Sequence, residues 1–360
     1  HPWDLRRVRP HFFPITASVI RGSRVSSPKP LPAESERWVG NLRPNSRGWA
    51  DVERTIKISS HVGDTAESTL SAYHERFGQG ATIVPRVLFM VEKAPASPLR
   101  TPSGREAVRS ARSATEKKPW RDLPPLEGVV ETEFIRPVYL GESVLPFRAL
   151  SRVRAVIPYD KTGLMAGDSE RIELFPGLAA WWRRAEELWM KHRSSNLLTL
   201  LDRLDYMHEF TTQLPVHRQR VVYTKSGMHL SAARVVDSRA IIDHTLYWAS
   251  VASDEEAHYL CGILNAEVTT KLVRPKMSYG KDERHIDKYV WQLPIAEFDP
   301  ANSSHAKVSR LAKALDDEIS GIELDPKKGF VWHRQEVRRY LASSETGQVL
   351  AEAVTKLLSH

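Results

Sequence analysis

The sequence has almost no cysteine, no long apolar run and no glycine-rich nucleotide loop. Cys261 is the single cysteine among 360 residues, which excludes a disulfide framework and a zinc site built from several cysteines. No run approaches 18 apolar residues, which excludes a membrane-spanning helix. No Gly-x-x-x-x-Gly-Lys-Ser/Thr motif occurs, and no Gly-x-Gly-x-x-Gly motif follows a strand pattern, so no phosphate-binding loop is predicted. The lack of disulfides fits a cytoplasmic protein.

The residues that are present have an ordinary globular composition with a basic surplus. Hydrophobic residues make up 41% of the chain and charged residues 27%, which is typical of a folded protein with roughly two or three domains. The formal net charge is +8, which favours acidic partners, nucleic acid first. The chain begins with His1 rather than Met and carries no signal-peptide pattern, so we expect a fragment or a processed chain.

Hydrophobic periodicity predicts an α+β fold: a mixed N-terminal portion, an antiparallel meander with helices, and a helical C-terminal tail. The helix with the strongest start signal follows Ser253, because Glu256 stands three residues later and completes a capping box. Helices are predicted over residues 70–77, 178–192, 197–210 and 254–272, with two further apolar stripes in the tail, over residues 308–319 and 349–357. Strands are predicted over residues 12–20, 81–91, 133–140, 152–158, 220–224, 230–236 and 241–251, the last three forming the meander.

Residues 93–128 have a different composition from the rest of the chain. They are rich in Pro, Ser, Ala and Arg, and hold almost no large apolar residue before Trp120. This composition predicts an exposed basic linker or insertion, and the clearest domain boundary in the sequence.

A second basic segment, residues 271–288, follows the capped helix. Its basic residues are Lys271, Arg274, Lys276, Lys281, Arg284 and Lys288, interleaved with Met277, Tyr279 and Gly280. A basic loop on a rigid scaffold can follow phosphates and present side chains to base edges. The same segment also holds Asp282, Glu283 and Asp287, so composition alone favours a solvated charged loop over a binding loop.

Other patterns point to catalysis only weakly. Asp168, Glu170 and Glu173 could bind magnesium in a nuclease, but Arg171 stands where a catalytic lysine would be expected, and a solvated turn explains the cluster. The glycines at positions 78 and 80 precede a strand pattern rather than follow one, and predict a plain turn.

Two apolar patterns are predicted to belong to the core rather than to a site. Trp181, Trp182 and Trp189 recur at helical spacing, which is typical of a buried helix face, although such a stripe could also stack bases. Cys261 lies on an apolar helix face and is predicted to be a buried thiol.

Several short motifs occur in an order that resembles one protein family. They are GATIVPR at 80–86, GESVLPF at 141–147, VYTKSG at 222–227, EEAHYL at 255–260 with ILN at 263–265, and RHIDK at 284–288 with LPI at 293–295. Together they resemble the C-terminal half of N6-adenine DNA methyltransferases from restriction–modification and phage-defence systems, over about residues 1–300.

The resemblance implies a region that recognises double-stranded DNA, while an upstream domain binds S-adenosylmethionine and methylates a flipped adenine. The cofactor loop and the Asn/Asp-Pro-Pro-Tyr/Phe motif of that upstream domain do not occur here, since Pro125 is followed by Leu126. No catalytic, cofactor-binding or metal-binding residue is therefore implied, and this chain alone is expected to be inactive. The implied division is 1–92 as the end of the catalytic domain and a connecting region, 93–128 as the linker, 129–300 as the target-recognition domain and 301–360 as the helical tail.

The candidate DNA-binding residues combine the basic segment with the resemblance. Arg284 is predicted to contact a base edge, because a guanidinium can pair bidentately with guanine, whereas lysines suffice for phosphates. The full candidate set is Lys225, Lys276, Tyr279, Lys281, Arg284, His285 and Lys288.

Three functions remain open from the sequence. The first is sequence-specific DNA binding as the specificity portion of an adenine-N6 methyltransferase. The second is a scaffold that contacts a restriction or helicase subunit through the tail helices without touching DNA. The third is a metal-dependent nuclease that uses Asp168 and Glu170.

Overall fold

The structure is a computed structural model that describes residues 37–40, 56–59, 70–95, 101–113, 116–150, 153–279 and 284–359. Its strands are β1 (Arg37–Gly40), β2 (Ile56–Ser59), β3 (Gly78–Gln79), β4 (Met90–Lys93), β5 (Arg105–Ser110), β6 (Glu127–Glu131), β7 (Ile135–Tyr139), β8 (Val144–Leu145), β9 (Arg148–Ala149), β10 (Val153–Val156), β11 (Tyr159–Asp160), β12 (Gly163–Leu164), β13 (Arg220–Thr224), β14 (Ala232–Val235), β15 (Ile241–Ile242), β16 (Leu246–Ser250), β17 (Ser278–Tyr279) and β18 (Arg284–His285).

Helices occupy much of the second half of the chain. The α-helices are α1 (Tyr73–Arg76), α2 (Arg86–Phe89), α3 (Pro176–His192), α4 (Leu200–Leu204), α5 (Asp254–Asn265), α6 (Glu267–Val273), α7 (Ser303–Ser320), α8 (Phe330–Ser343) and α9 (Glu345–Leu358). Short 3-10 helices span Trp120–Asp122, Thr132–Phe134, Gly141–Ser143, Glu170–Leu174, Tyr206–His208, Thr211–Gln213, Arg274–Lys276 and Tyr289–Gln292. The predicted α+β class with a helical C-terminal tail is confirmed. Within the described part of the chain, no helix has both the length and the apolar character to cross a membrane.

A six-stranded sheet of order β15-β7-β10-β4-β5-β6 forms the first half of the molecule. Its neighbours pair antiparallel except β15 and β7, which are parallel. Helix α3 covers the sheet with Trp181 and Trp182, which are 3% and 0% exposed. The tryptophan stripe is therefore core at these two positions, as its spacing predicts.

The prediction of an exposed linker over residues 93–128 is wrong for β5. This strand pairs on both sides, with β4 and with β6, and Val108 is fully buried. The sequence of β5 is polar because its arginines form ion pairs with glutamates on the adjacent strands. Arg105 lies 3.0 Å from Glu131, and Arg109 lies 2.7 Å from Glu92. Charged residues on the solvent face of a sheet can pair in this way without removing the strand from the core.

A four-stranded antiparallel sheet of order β14-β13-β16-β3 forms the second half. The predicted meander is wrong in its order, because β13 lies between β14 and β16. The third predicted strand is also divided. Its first residues form β15 and join the six-stranded sheet, and a turn at Asp243, whose carboxylate accepts from Thr245 N at 3.0 Å, brings β16 back to β13.

Helix α5 packs on β13 and β14 of the four-stranded sheet, and α7 and α9 pack against α5 and against each other. The sheet and these three helices share one core. Helix α5 begins as predicted, since Ser253 Oγ accepts a hydrogen bond from Glu256 N at 3.1 Å. It ends earlier than predicted, at Asn265, because Ala266 is extended and α6 starts a new helix. Leu272, placed on the predicted apolar stripe, is consequently 42% exposed.

Two further predictions are wrong, and one lies outside the described residues. Residues 81–91 do not form one strand, because α2 follows the extended Pro85 and only Met90 onward is strand. Residues 197–210 hold the short helix α4 and a 3-10 turn instead of one helix. The predicted strand over residues 12–20 is outside the described part of the chain.

Candidate nucleic-acid interface

The basic segment is a short hairpin whose two ends are anchored in the core. After the 3-10 turn Arg274–Lys276, the buried Met277 leads into β17, which pairs with β18. Ile286, directly after β18, is fully buried, and its amide donates to the Lys225 carbonyl at 2.8 Å. The hairpin therefore has a fixed base, because buried apolar side chains hold the chain immediately before and after it.

An aromatic cluster supports the C-terminal side of this base. The Tyr223 hydroxyl donates to the Asp287 carbonyl at 2.9 Å and accepts from the Trp291 indole at 3.1 Å. Phe77 stacks on Trp291 with ring centroids 4.4 Å apart. Burial raises the pKa of Tyr223 well above its usual value, so this hydroxyl stays a neutral donor to the backbone.

The loop of residues 225–229 lies directly beside the hairpin. Ser226 forms an antiparallel bridge with His285, and the Arg274 guanidinium donates to the Met228 carbonyl at 3.1 Å. Gly227 has a φ of 140°, a conformation that side-chain-bearing residues rarely adopt. We call the hairpin together with this loop the basic surface, defined by residues 225–229, 274–279 and 284–288.

Lys225 lies at the junction of the loop and the sheet. Its ammonium donates to Gln79 Oε1 at 2.6 Å and lies 5.9 Å from the centroid of the Tyr247 ring. Burial, with the carboxylates of Asp287 and Glu209 nearby, raises the pKa of Tyr247 to about 12. The tyrosine is therefore uncharged at neutral pH, and the hydrogen-bond acceptor of Lys225 is a neutral amide.

His229 is the last residue of the loop 225–229. The Glu267 carboxylate lies 3.3 Å from its Nδ1. Burial and then the Arg338 guanidinium hold its pKa below the ordinary histidine value, against the opposing effect of Glu267. Burial also lowers the pKa of Arg338 to about 10, which leaves the guanidinium charged at neutral pH. The positive charge beside His229 therefore comes from the Arg338 guanidinium and not from the imidazole.

The structure brings part of the predicted site together. Just beyond the end of β13, His285 pairs with Ser226, the residue after Lys225, and Lys288 Nζ donates to the His74 carbonyl at 2.9 Å. Lys276 Nζ donates to Gln292 Oε1 at 3.2 Å. Tyr279 and Arg284 lie opposite each other in the hairpin, and Lys281 lies outside the described residues. The assignment of these residues to bases and phosphates stays a prediction.

Sequence reasoning missed the residues that the fold adds to this surface. Gln79, predicted as part of a plain turn, lies in β3 and pairs with Tyr247 of β16. The following Gly80 is required by packing, because a Cβ there would clash with the carbonyl oxygens of Ile242 and Asp243. The available sequence signal for Gln79 was the glycine on either side of it, since a glycine in a strand can mark a close backbone approach.

The other candidate sites have structural roles in the described residues. Glu173 pairs with Arg183, and no group of three or more His, Cys, Asp or Glu side chains lies where it could hold a metal ion, among the residues that the structure describes. Cys261 is 2% exposed, and burial raises the pKa of its thiol far above the usual range, as expected for a core residue.

Comparison with known proteins gives distant structural similarity only. No family model matches this sequence, and no curated protein matches it. One similar solved structure is the type IIL restriction-modification enzyme MmeI in complex with DNA, with a TM-score of 0.42 and 12% identity over 63% of this chain and 28% of that chain. Another is the type IIG restriction endonuclease BpuSI, with a TM-score of 0.35 and 11% identity over 70% of this chain and 30% of that chain. This chain thus spans less than a third of the length of either enzyme.

Proposed function

We propose that this chain binds double-stranded DNA through the basic surface, as the specificity portion of an S-adenosylmethionine-dependent adenine-N6 DNA methyltransferase. One observation carries the proposal: the basic hairpin is anchored by buried residues on both sides and lies against a second basic loop. A two-stranded ribbon of this kind fits the major groove of B-DNA, where the base pairs can be distinguished.

The electrostatics of the surface support a polyanionic partner. Lys225 donates to the neutral Gln79 amide, and Arg274 donates to the backbone carbonyl of Met228. Neither acceptor carries a formal charge, so these two bonds do not themselves neutralise the cations. Contacts between cations and phosphates release counterions from DNA and make binding depend strongly on salt.

The methyltransferase part of the proposal is supported by the ordered motifs of the sequence. The motif over residues 222–227 provides Lys225, and the motif over residues 284–288 ends the hairpin. In this proposal a separate domain binds the cofactor and carries the catalytic residues, and this chain recognises the DNA sequence. A restriction or helicase subunit is a further proposed partner.

The test measures fluorescence anisotropy on two duplexes across a salt series. One duplex is random, and the other is enriched from a random pool by the parent protein. Arg284→Ala should weaken binding to the enriched duplex by about 1–3 kcal/mol and relax selection at one position, whereas Lys281→Ala should weaken both duplexes alike and lower the salt slope by about one.

A charge-matched control separates the surface from overall charge. Lys313→Ala removes an exposed ammonium from α7, where it pairs with Asp317, and should leave both affinities near the parent values. If Arg284→Ala and Lys281→Ala both bind with the parent affinity at every salt concentration, the interface lies elsewhere. Equal losses for all three variants would show attraction by net charge alone.

A further inference from the structure

Gln79 and Lys225 form a hydrogen-bonded pair at the margin of the basic surface. Gln79 Oε1 accepts from the Lys225 ammonium at 2.6 Å, across 146 residues of chain. Both residues are half-buried, so each keeps part of its surface in solvent. Ser226, the residue after Lys225, pairs with His285 of the hairpin. The polar pair therefore lies close to the proposed DNA-binding element.

The backbone that carries each of the two side chains is held by neighbouring strands. The Lys225 amide donates to the Thr245 carbonyl at 3.0 Å, and the Lys225 carbonyl accepts from the Ile286 amide at 2.8 Å. Gln79 lies in β3 opposite Tyr247 of β16. Because both backbones are already fixed, they lose little further conformational entropy when a ligand binds.

The bond between the two side chains determines which hydrogen-bonding groups remain for a ligand. A glutamine side chain by itself offers an oxygen acceptor and NH2 donors, the combination that pairs with N6 and N7 of adenine. Lysine has no acceptor, so Gln79 must turn its oxygen to the ammonium, and the positive charge there repels a second donor such as the amino group of adenine. The groups that remain are Gln79 Nε2 and the other ammonium hydrogens of Lys225, and all of them are donors.

We infer that Gln79 and Lys225 together recognise one guanine in the major groove, where Gln79 Nε2 and the Lys225 ammonium donate to its O6 and N7. Guanine is the base that presents two acceptors side by side in that groove, whereas adenine presents one acceptor beside a donor. This inference rests on the proposed DNA binding. It makes the specificity at one base pair depend on two residues from distant parts of the chain.

The experiment compares the base preferences of the parent protein with those of two variants. Gln79→Met and Lys225→Met approximately keep the length of each side chain and remove its polar group. Each protein selects duplexes from the same random pool, and sequencing gives its preference at every position. At one position the parent should prefer guanine over adenine by roughly 5- to 150-fold, the range of a bidentate base contact. Gln79→Met should lose most of that preference.

Lys225→Met gives the sharper result. Without the ammonium, the Gln79 oxygen becomes an acceptor beside its own NH2 group, which suits adenine. The preference at the same position should therefore shift from guanine towards adenine, whereas loss of a phosphate contact would weaken all sequences alike. Replacing that guanine by 7-deazaguanine, which has a C–H group in place of the N7 acceptor, should weaken parent binding roughly two- to tenfold.

A matched control uses Gln348, an exposed glutamine on α9 whose Nε2 donates to the Ala342 carbonyl at 3.2 Å. Gln348→Met should keep every base preference of the parent. The midpoint of chemical unfolding shows whether each variant is folded. Gln79→Asn keeps the amide and retracts it by one methylene group, so it gives a second way to remove the contact and should lose the same preference.

Three results separate the inference from the proposed function. If the parent selects a sequence but the folded Gln79 and Lys225 variants keep all its base preferences, the inference is wrong and the proposed function stands. The same holds if Lys225→Met weakens all sequences alike, or if 7-deazaguanine changes binding at no position. If the parent shows no salt-dependent DNA binding, both are wrong.

Discussion

The two basic segments of this chain, residues 93–128 and 274–288, are alike in composition and opposite in structure. Both combine arginine or lysine with proline or glycine and few large apolar residues. The first contributes β5, with neighbours on both sides in the six-stranded sheet. The second contributes the pair β17–β18, which meets the rest of the chain through a bridge between His285 and Ser226, just beyond the end of β13.

The difference comes from where the few apolar residues lie and what faces the charges. In the first segment Val108 is buried inside the strand, and the arginines on either side face glutamates on adjacent strands. In the second segment the buried residues Met277 and Ile286 flank the hairpin. The two segments therefore differ in where their buried apolar residues lie: inside a strand in the first, and on either side of the hairpin in the second.

The largest expected effect tests the buried strand. Val108→Asp places a carboxylate at a fully buried position of the six-stranded sheet, where it has no counter-charge. The free energy of unfolding should fall by about 4 kcal/mol or more, measured by denaturant titration. The control is Val129→Asp on the adjacent strand, which is 38% exposed and should lose no more than about 1 kcal/mol. Equal losses would mean that β5 is not core.

A smaller effect is expected when the anchor of the hairpin is shortened. Ile286→Ala removes a fully buried side chain and should cost about 2–5 kcal/mol of unfolding free energy, with faster proteolysis in the hairpin. Leu272→Ala is the control, because Leu272 is 42% exposed on α6 and should change stability by about 0.5 kcal/mol. If Ile286→Ala left the unfolding free energy unchanged, the hairpin would need no anchor at Ile286.

The smallest effect concerns the start of helix α5, which precedes the second segment in the chain. Ser253 Oγ accepts from Glu256 N at the start of α5, so Ser253→Ala should cost about 1 kcal/mol. Ser304→Ala, at an exposed position in the first turn of α7, should be nearly neutral, because Asn302 caps that helix. The midpoint of chemical unfolding compares the two variants. If both shifts are the same, the Ser253 cap adds nothing to stability.

Short-range patterns explain what the sequence predicted correctly. Helix α3, the start of α5, the strand β13 and the C-terminal helices α7 and α9 follow from periodicity or capping within one element. Helix α8 was not predicted. In the candidate site the composition identified the basic run, and the family resemblance added Lys225. Neither identified Gln79, which lies 146 residues before Lys225 in the chain, because the glycines beside it can mark a close backbone approach but do not name its partner.

The sequence by itself determined the α+β class, the helix faces and the basic character of the candidate surface, because these depend on residues within a turn or a strand of one another. The tertiary structure alone decided that β5 is a strand, that β13 lies between β14 and β16, and that residues 241–251 divide between two sheets. It also decided that Met228 stands beside the hairpin, through Arg274 and His285. Each of these outcomes depends on hydrogen bonds and ion pairs between distant residues, and hydrophobic periodicity carries no information about which strands become neighbours.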